Sequence, residues 1–108
     1  MTDPVVSISL PCFNAENTVV DTLRSILAQT FDDWELLAID DGSTDGTLEI
    51  LQSIDDPRVR VLSDGTNKGR GVRLNESALE ARGKYFARMD ADDLMFPERL
   101  AKQVAFLE

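Results

Sequence analysis

The stretch Trp34-Glu35-Leu36-Leu37-Ala38-Ile39 is a short, mostly apolar run that ends in the polar turn Asp40-Asp41-Gly42-Ser43. A run of this length with turn residues at both ends is typical of a strand that is covered on both faces, as in a parallel sheet. Such a strand needs helices above and below it, and the neighbouring sequence supplies them. The run therefore predicts an α/β fold.

Strand and helix patterns alternate on both sides of this run. Residues 5 to 10 alternate apolar and small polar side chains before Pro11, and residues 58 to 62 and 84 to 89 have the composition of two further strands. Between the strands, apolar residues recur at steps of three and four, which predicts amphipathic helices. Their apolar faces are Val19, Leu23, Ile26 and Leu27 in a helix over 16 to 29; Leu48, Leu51 and Ile54 in a second; Val72, Leu74, Ala78 and Ala81 in a third; and Leu100, Val104 and Leu107 in a fourth.

Capping residues predict where these helices begin and end. The N-cap candidates are Asn14 for the first helix and Ser43, Thr44 or Asp45 for the second. Gly83 is expected to end the third helix as its C-cap residue, and Pro97 to open the fourth at its first helical position.

Strict alternation of strands and helices predicts a mostly parallel sheet flanked by helices, in a single domain over residues 1–108. In such sheets, ligands bind outside the carboxyl ends of the strands. Four polar loops follow the predicted strands, at residues 11–14, 40–43, 67–71 and 90–93. The return turns at the other end carry only turn and cap residues, so we expect a binding site at one edge of the sheet.

The composition limits the chemistry open to this chain. Its 108 residues include 20 Asp and Glu against 11 Lys and Arg, a formal net charge of -9, which argues against nucleic acid as a partner. Histidine is absent and Cys12 is the single cysteine, so acid–base chemistry must use carboxylates, and neither an intrachain disulfide nor a thiolate zinc site can form. No apolar run approaches the ~20 residues that cross a bilayer. We expect a cytoplasmic location, including the cytosolic face of a membrane.

Three carboxylates fall within four residues in Asp90-Ala91-Asp92-Asp93, directly after a strand-like segment. Like charges this close repel each other, so the cluster is stable beside water, a hydrogen-bond donor or a metal ion. Mg²⁺ and Mn²⁺ commonly combine one or two carboxylates with water and substrate phosphates. Asp90 and Asp92 are therefore predicted to bind Mn²⁺ or Mg²⁺ that bridges a diphosphate. A solvated acidic loop is the alternative.

The other loops offer groups that suit a nucleotide. The Asp41 carboxylate can accept hydrogen bonds from a base N–H or a sugar hydroxyl, and Phe13 can present a ring face to a base. Pro11 and Asn14 are expected to fix the shape of the Phe13 loop. The cationic residues that could approach a diphosphate are Lys68, Arg70 and Arg73. Each has a structural alternative, namely helix capping for the aspartates, a core position for the phenylalanine and a solvated surface for the basic residues.

Taken together and in order, these segments resemble glycosyltransferase family 2, the inverting sugar transferases with a GT-A fold. The matching segments are residues 6–14, 25–31, 34–35, 39–45, 67–69, 81–83, 90–93 and 97–100. The resemblance spans nearly the whole chain and implies a Rossmann-like fold of the GT-A, nucleotide-diphospho-sugar transferase type. It also implies metal-assisted transfer of a sugar from a nucleotide-diphosphate sugar, by default a UDP-sugar, to an acceptor hydroxyl with inversion.

The resemblance implies roles for individual residues. Those implied to bind the nucleotide sugar are Pro11, Phe13, Asn14, Asp41, Arg70 and Asp90, with Phe13 standing where a tyrosine is more usual. Asp90 and Asp92 are implied to form the metal-binding Asp-x-Asp motif, with Asp93 beside them. The choice between Arg70 and Arg73 for the donor contact stays open.

In this family the acceptor-binding half and the catalytic carboxylate base lie beyond the matched segment. The base is therefore expected beyond residue 108, and the chain is expected to be an incomplete domain, the donor-binding half without the acceptor half. The implied partners are a nucleotide-sugar donor and an acceptor that is a glycan, a lipid or a protein. Apolar surface left uncovered at the edge of such a half would favour self-association.

Three other classes of protein fit parts of the pattern. A non-catalytic interaction module would keep the fold without the ligand, but Asp41, Asp90 and Asp92 are all retained. A phospho-acceptor receiver domain and an aspartyl-nucleophile phosphatase also carry paired aspartates. In both classes the pair should follow the first strand, whereas here the pairs follow the second and fourth, which argues against both.

Overall fold

The computed structural model describes residues 2–108, and within that range four strands alternate with four helices. The elements are β1 (Val6–Cys12), α1 (Val19–Leu27), β2 (Trp34–Asp40), α2 (Thr47–Gln52), β3 (Val59–Ser63), α3 (Arg70–Glu80), β4 (Tyr85–Arg88) and α4 (Arg99–Leu107). The strands form one sheet in the order β3-β2-β1-β4, and each neighbouring pair is parallel. The predicted parallel α/β fold is confirmed.

The two central strands, β1 and β2, are buried along their whole length. Their register places Val6 beside Trp34 and Cys12 beside Asp40, so the two strands end together and deliver their loops to the same edge. The apolar run that predicted the fold is therefore a central strand, and the loops after β1 and β2 are neighbours.

Strand β1 runs two residues further than predicted, through Pro11 to Cys12. Pairing with β4 ends at Ser9 and Arg88, whereas pairing with β2 continues to Cys12. Ser9 O accepts a hydrogen bond from Met89 N, so the backbone polar groups of Ser9 face β4. Residues two positions apart in a strand direct these groups to the same side, so those of Pro11 also face that side. Pro11 thus points its nitrogen toward the side where β4 has ended, and the missing N–H costs no bond in the ladder.

One face of the sheet, here called the apolar face, carries the hydrophobic core. It is covered by α1, α2 and α4, which contribute Ile26, Leu51 and Leu100 to the same buried cluster as Ile8 and Leu36 of the sheet. Fully burying one such side chain contributes about 1.5–3 kcal/mol relative to leaving it exposed. This face therefore supplies most of the apolar burial.

The opposite face, here called the α3 face, is partly polar. The buried hydroxyls of Ser9 and Ser77 lie 2.6 Å apart, and Ser7 Oγ donates to Glu35 Oε2 at 2.6 Å. The predicted apolar stripe of the third helix is wrong, because Val72 is 45% exposed and Ala78 is exposed, while the buried residues of α3 are Arg73 and Ser77.

Several boundary predictions also differ from the structure. α3 ends at Glu80, so Gly83 is not its C-cap residue; a Cβ on Gly83 would lie 2.5 Å from Ser7 N, and the glycine instead permits close approach to β1. Pro97 lies two residues before α4, not at its first helical position. Leu27 and Leu107 are 38% and 55% exposed, although both were predicted on apolar faces.

Candidate functional site

A cleft of about 490 Å³ opens at the carboxyl edge of the sheet, between the loops after β1, β2 and β4 and the first turn of α3. The predicted donor and metal residues that line it are Pro11, Phe13, Asn14, Asp41, Arg70, Asp90 and Asp92. The structure thus brings these residues together at the edge where they were expected, whereas the candidates Lys68 and Arg73 do not line the cleft. Their roles toward a ligand stay predictions.

The loop after β1 presents an aromatic ring to the cleft. Phe13 is 50% exposed, so it is not a core residue. Asn14 adopts a φ of 48°, which asparagine tolerates better than most residues, and its Oδ1 accepts a hydrogen bond from Thr44 N at 2.8 Å. Asn14 N donates to Ser43 Oγ at 2.9 Å. Asn14 therefore joins the loops after β1 and β2 and does not cap α1, whose N-cap is Thr18.

Asp41 is buried and anchors the loop between β3 and α3. Its carboxylate accepts hydrogen bonds from Lys68 N at 2.7 Å, Gly69 N at 3.1 Å and Arg73 Nε at 2.9 Å. Burial by itself would raise the pKa of Asp41, but these hydrogen bonds and the guanidinium charge outweigh it and lower the pKa. Asp41 is therefore ionised and engaged with protein donors.

Gly42, directly after Asp41, lets the two loops touch. Its φ is 71°, and a Cβ there would lie 2.6 Å from the carbonyl carbon of Thr66. Only glycine combines this backbone conformation with so close an approach. The turn after β2 and the loop after β3 are therefore held as one wall of the cleft.

The two candidate arginines differ in burial and in the groups they contact. Arg73 is 2% exposed and is surrounded by carboxylates, with Nε on Asp41, Nη2 on Asp64 at 2.7 Å and Nη1 on Glu76 at 2.8 Å. The pKa of Arg73 is raised chiefly by its hydrogen bond with Asp64. Arg70, in contrast, is exposed and lines the cleft. The residue available to a ligand is Arg70, and Arg73 is part of the scaffold.

The acidic loop after β4 forms a compact group of oxygen ligands. One carboxylate oxygen from each of Asp90, Asp92 and Asp93 can be chosen so that all three lie within 4.8 Å of one another. Asp93 Oδ2 also accepts from Asp90 N at 3.2 Å, and Asp93 N donates to Asp90 O at 3.0 Å, which closes the turn. Clustered, exposed carboxylates are the donor type that Mg²⁺ and Mn²⁺ prefer, so these residues fit a divalent cation.

Arg70 reaches across the cleft to this loop. Its Nε lies 2.8 Å and its Nη2 2.6 Å from Asp90 Oδ1. Both side chains are about half exposed, so the pair is screened by water and can open at low cost. The guanidinium currently balances part of the negative charge of the loop.

Sequence reasoning missed the residues that hold the acidic loop in place. Thr18, at the N-cap of α1, and Thr22 both donate to Ala91 O. Ser25 and Gln29 form hydrogen bonds with Met95 and Phe96, in the segment after the acidic loop. Their spacing was a usable signal, since these polar residues recur at helical steps of four, three and four from the N-cap of α1 to two residues past its end.

A parallel sheet flanked by helices, with a charged cleft at its carboxyl edge, defines an open α/β protein, the class in which ligands bind at that edge. The family model described as Glycosyl transferase family 2 matches residues 7–108, and the chain belongs to this family. The resemblance inferred from sequence is confirmed.

Relatives and solved structures agree with this assignment. The glycosyltransferase EpsE of Bacillus subtilis (strain 168) is 44% identical over an alignment of 108 positions, which covers 97% of this chain and 39% of EpsE. The S. aureus TarS 1–349 structure in complex with UDP-GlcNAc matches with a TM-score of 0.90 and 30% identity, over 99% of this chain and 31% of that one. The mannosyltransferase PcManGT from Pyrobaculum calidifontis, in complex with GDP-Man and Mn²⁺, matches with a TM-score of 0.85 and 26% identity, over 99% of this chain and 33% of that one.

The chain spans less than half the length of these proteins. Within residues 2–108, no helix is both long enough and apolar enough to cross a membrane.

Proposed function

We propose that this chain binds the nucleotide-sugar donor of a glycosyl transfer reaction, as the donor half of a family 2 glycosyltransferase domain. The observation that carries the proposal is the group of carboxylates from Asp90, Asp92 and Asp93 at the mouth of a cleft that also holds Phe13 and Arg70. In a chain of net charge -9, a diphosphate would be repelled from such a cluster without a bridging cation.

The base is proposed to lie against the loop after β1. Phe13 offers a half-exposed ring for stacking, and the bonds of Asn14 to Ser43 and Thr44 hold that loop in one conformation. Asp41 lies at the floor of the same cleft. The Asp41 carboxylate already accepts several hydrogen bonds from the loop after β3, so its proposed role is to hold that wall of the cleft beside the base. A direct hydrogen bond from a base N–H would have to share Asp41 Oδ2 with Asn67 or Gly69.

The diphosphate is proposed to lie between Arg70 and the acidic loop. Asp92 and Asp90 would hold Mn²⁺ or Mg²⁺, with Asp93 beside them. When bound, such a cation neutralises negative charge on phosphate oxygens and on a departing diphosphate. Arg70 can exchange its exposed contact with Asp90 for a phosphate oxygen, since a guanidinium binds both groups in the same planar fashion.

The complete reaction is proposed to transfer the sugar to an acceptor hydroxyl with inversion, using a carboxylate base outside residues 1–108. UDP is the favoured nucleotide because the TarS structure that resembles this chain contains UDP-GlcNAc. The GDP-Man in the PcManGT structure shows that a similar fold also accepts a guanine nucleotide. The acceptor, whether glycan, lipid or protein, would be recognised by residues that this chain does not contain.

The edge beyond β4 is the proposed surface for self-association. A groove of about 630 Å³ runs between β4 and α4, and Phe86 and Phe106 along it are 41% and 89% exposed. Light scattering during size-exclusion chromatography, over a range of concentrations, would detect the association. Replacing Phe106 with Ser should reduce it without affecting the cleft.

The proposed donor site is tested by titrating UDP, GDP and dTDP into the chain calorimetrically, each with Mn²⁺ and again with excess chelator. We expect one nucleotide to bind in the presence of Mn²⁺ and to lose most of its affinity in chelator. Binding that is equal with and without the metal would contradict the role of the acidic loop. A folded chain that binds none of the three would contradict the proposed function.

A further inference from the structure

Helix α1 and the residues at its two ends present a row of polar side chains to the acidic loop and to the segment between that loop and α4. The members of the row are Thr18, at the N-cap; Thr22 and Ser25, within the helix; and Gln29, two residues past its end. Steps of four, three and four residues place side chains on one face of a helix. The row therefore runs alongside the segment that links β4 to α4.

The first two members of the row hold one carbonyl. Thr18 Oγ1 donates to Ala91 O at 3.0 Å, and Thr22 Oγ1 donates to the same oxygen at 2.9 Å. Ala91 lies between the two proposed metal ligands, Asp90 and Asp92. Two donors on one carbonyl fix the plane of the peptide that joins Ala91 to Asp92, and with it the direction in which the flanking carboxylates leave the backbone.

The other two members fix the chain beyond the loop. Ser25 Oγ accepts from Met95 N at 3.0 Å, while Gln29 Nε2 donates to Phe96 O at 2.7 Å and Gln29 Oε1 accepts from Leu100 N at 3.2 Å. Both Gln29 and Met95 are buried. These hydrogen bonds hold the segment that follows the acidic loop. They therefore limit the movement of the loop from its carboxyl-terminal end.

Simple satisfaction of a buried carbonyl does not account for this arrangement. A buried carbonyl needs one donor to offset most of its desolvation, and Thr22, at 0% exposure, already provides one. Thr18 is exposed and its hydroxyl could bond to water instead. The second bond engages the other lone pair of the oxygen and restricts its orientation.

We propose that Thr18 and Thr22 are positioning residues for the metal site, holding Ala91 O so that Asp90 and Asp92 converge on one cation. The proposal rests on the proposed function, since it assumes a divalent cation at the acidic loop. Neither threonine is assigned a contact with the cation or the donor. Residues that orient metal ligands in this way typically change metal affinity by about 10- to 100-fold when they are replaced.

The test compares Thr22→Val, which has nearly the same shape but lacks the hydroxyl, with Thr22→Ser, which keeps it. Thr18→Val provides a second variant at an exposed position, where folding is at little risk. Ser77→Ala is the matched control, because it removes an equally buried hydroxyl contact on the α3 face, on the other side of the sheet from α1. The dissociation constant for Mn²⁺ alone is measured for each variant, together with the amide exchange and the backbone mobility of residues 90–93 by NMR.

We expect Thr22→Val to raise the dissociation constant for Mn²⁺ by about tenfold or more and to increase mobility in residues 90–93. Thr18→Val should do the same to a smaller extent, and Thr22→Ser and Ser77→Ala should stay close to the unchanged chain. The proposal is overturned if Thr22→Val folds and leaves loop mobility unchanged, or if mobility rises while Mn²⁺ affinity does not fall. If the unchanged chain itself fails to bind Mn²⁺, the donor site is wrong, and the positioning role falls with it. That outcome is recognised before any variant is compared.

Discussion

The two faces of the sheet are held by different kinds of interaction. On the apolar face, side chains such as Ile8 and Leu36 are buried among α1, α2 and α4 by contacts that have little directional preference. On the α3 face, Glu35, Asp41 and Arg73 are buried in hydrogen bonds and ion pairs that require defined distances. Asp41 belongs both to this network and to the cleft. The comparison indicates that the apolar face stabilises the fold by packing alone, whereas the α3 face also sets the geometry of the cleft wall around Asp41.

The largest expected effect lies at Arg73. Replacing Arg73 with Met leaves Asp41 buried without its counter-charge, and we expect the free energy of unfolding to fall by about 3–5 kcal/mol. Nucleotide affinity should also fall, because the wall formed by residues 66–69 loses an anchor. Urea denaturation and titration of UDP with Mn²⁺ measure the two effects.

Arg58 provides the control for this variant. It pairs with Asp56 at 2.9 Å and stacks over Trp34 at 3.8 Å, at the amino end of β3 and away from the cleft. Arg58→Met should cost about 1 kcal/mol and leave nucleotide affinity unchanged. Equal nucleotide affinities in the two arginine variants would contradict the role given to the α3 face.

On the apolar face, Leu36→Ala should cost about 2–5 kcal/mol, because it leaves a cavity in the packed core. The dissociation constant for UDP, measured under conditions where the variant is folded, should stay the same. Denaturation with urea and calorimetry at low temperature separate stability from binding. A folded Leu36→Ala chain that has lost nucleotide binding would show that the two faces are not independent.

A smaller effect is expected in acid. The pKa of Asp41 in the folded chain lies below its ordinary value, because hydrogen bonds from Lys68 N, Arg73 and Gly69 N outweigh the opposing effect of burial. A carboxylate of this kind contributes stability above its unfolded pKa, about 3.9, and the contribution is lost as the pH falls through the lower, folded value.

The double variant Asp41→Asn/Arg73→Met removes this source of acid sensitivity together with the pairs that Arg73 forms with Asp64 and Glu76. We expect its free energy of unfolding, followed by urea denaturation from about pH 6 to pH 3, to fall less steeply than that of the unchanged chain. Parallel curves for the two proteins would show that Asp41 does not contribute to acid sensitivity.

The fold was largely predictable because its signals are local. Apolar runs and helical periodicity gave the order of all eight elements in residues 2–108, and polar loops after the strands indicated the edge that carries the cleft. On the apolar face the buried residues are hydrophobic, so the periodicity of apolar residues in the sequence identifies them. The α3 face differs, because Ser77 and Arg73 are buried through polar contacts, and a search for apolar residues on α3 selected Val72 and Ala78 instead.

The details that escaped prediction depend on contacts between residues far apart in the sequence. The sequence predicts Gly83 as a helix cap, because a glycine needed for close approach to Ser7 looks the same in sequence as one needed to end a helix. Arg70 and Arg73 could not be told apart without knowing where α3 begins. The bond from Thr22 to Ala91 O joins residues 69 positions apart, and neither residue type suggests it.

The most direct test of the central claim compares two aspartate variants in the calorimetric titration of UDP with Mn²⁺. Asp92→Ala removes a proposed metal ligand, whereas Asp55→Ala removes an exposed aspartate from the turn before β3, at the opposite end of the sheet. We expect Asp92→Ala to abolish metal-dependent binding and to leave the unfolding transition nearly unchanged, while Asp55→Ala binds as the unchanged chain does. Unchanged UDP affinity in Asp92→Ala would contradict the assignment of the acidic loop as the metal and diphosphate site.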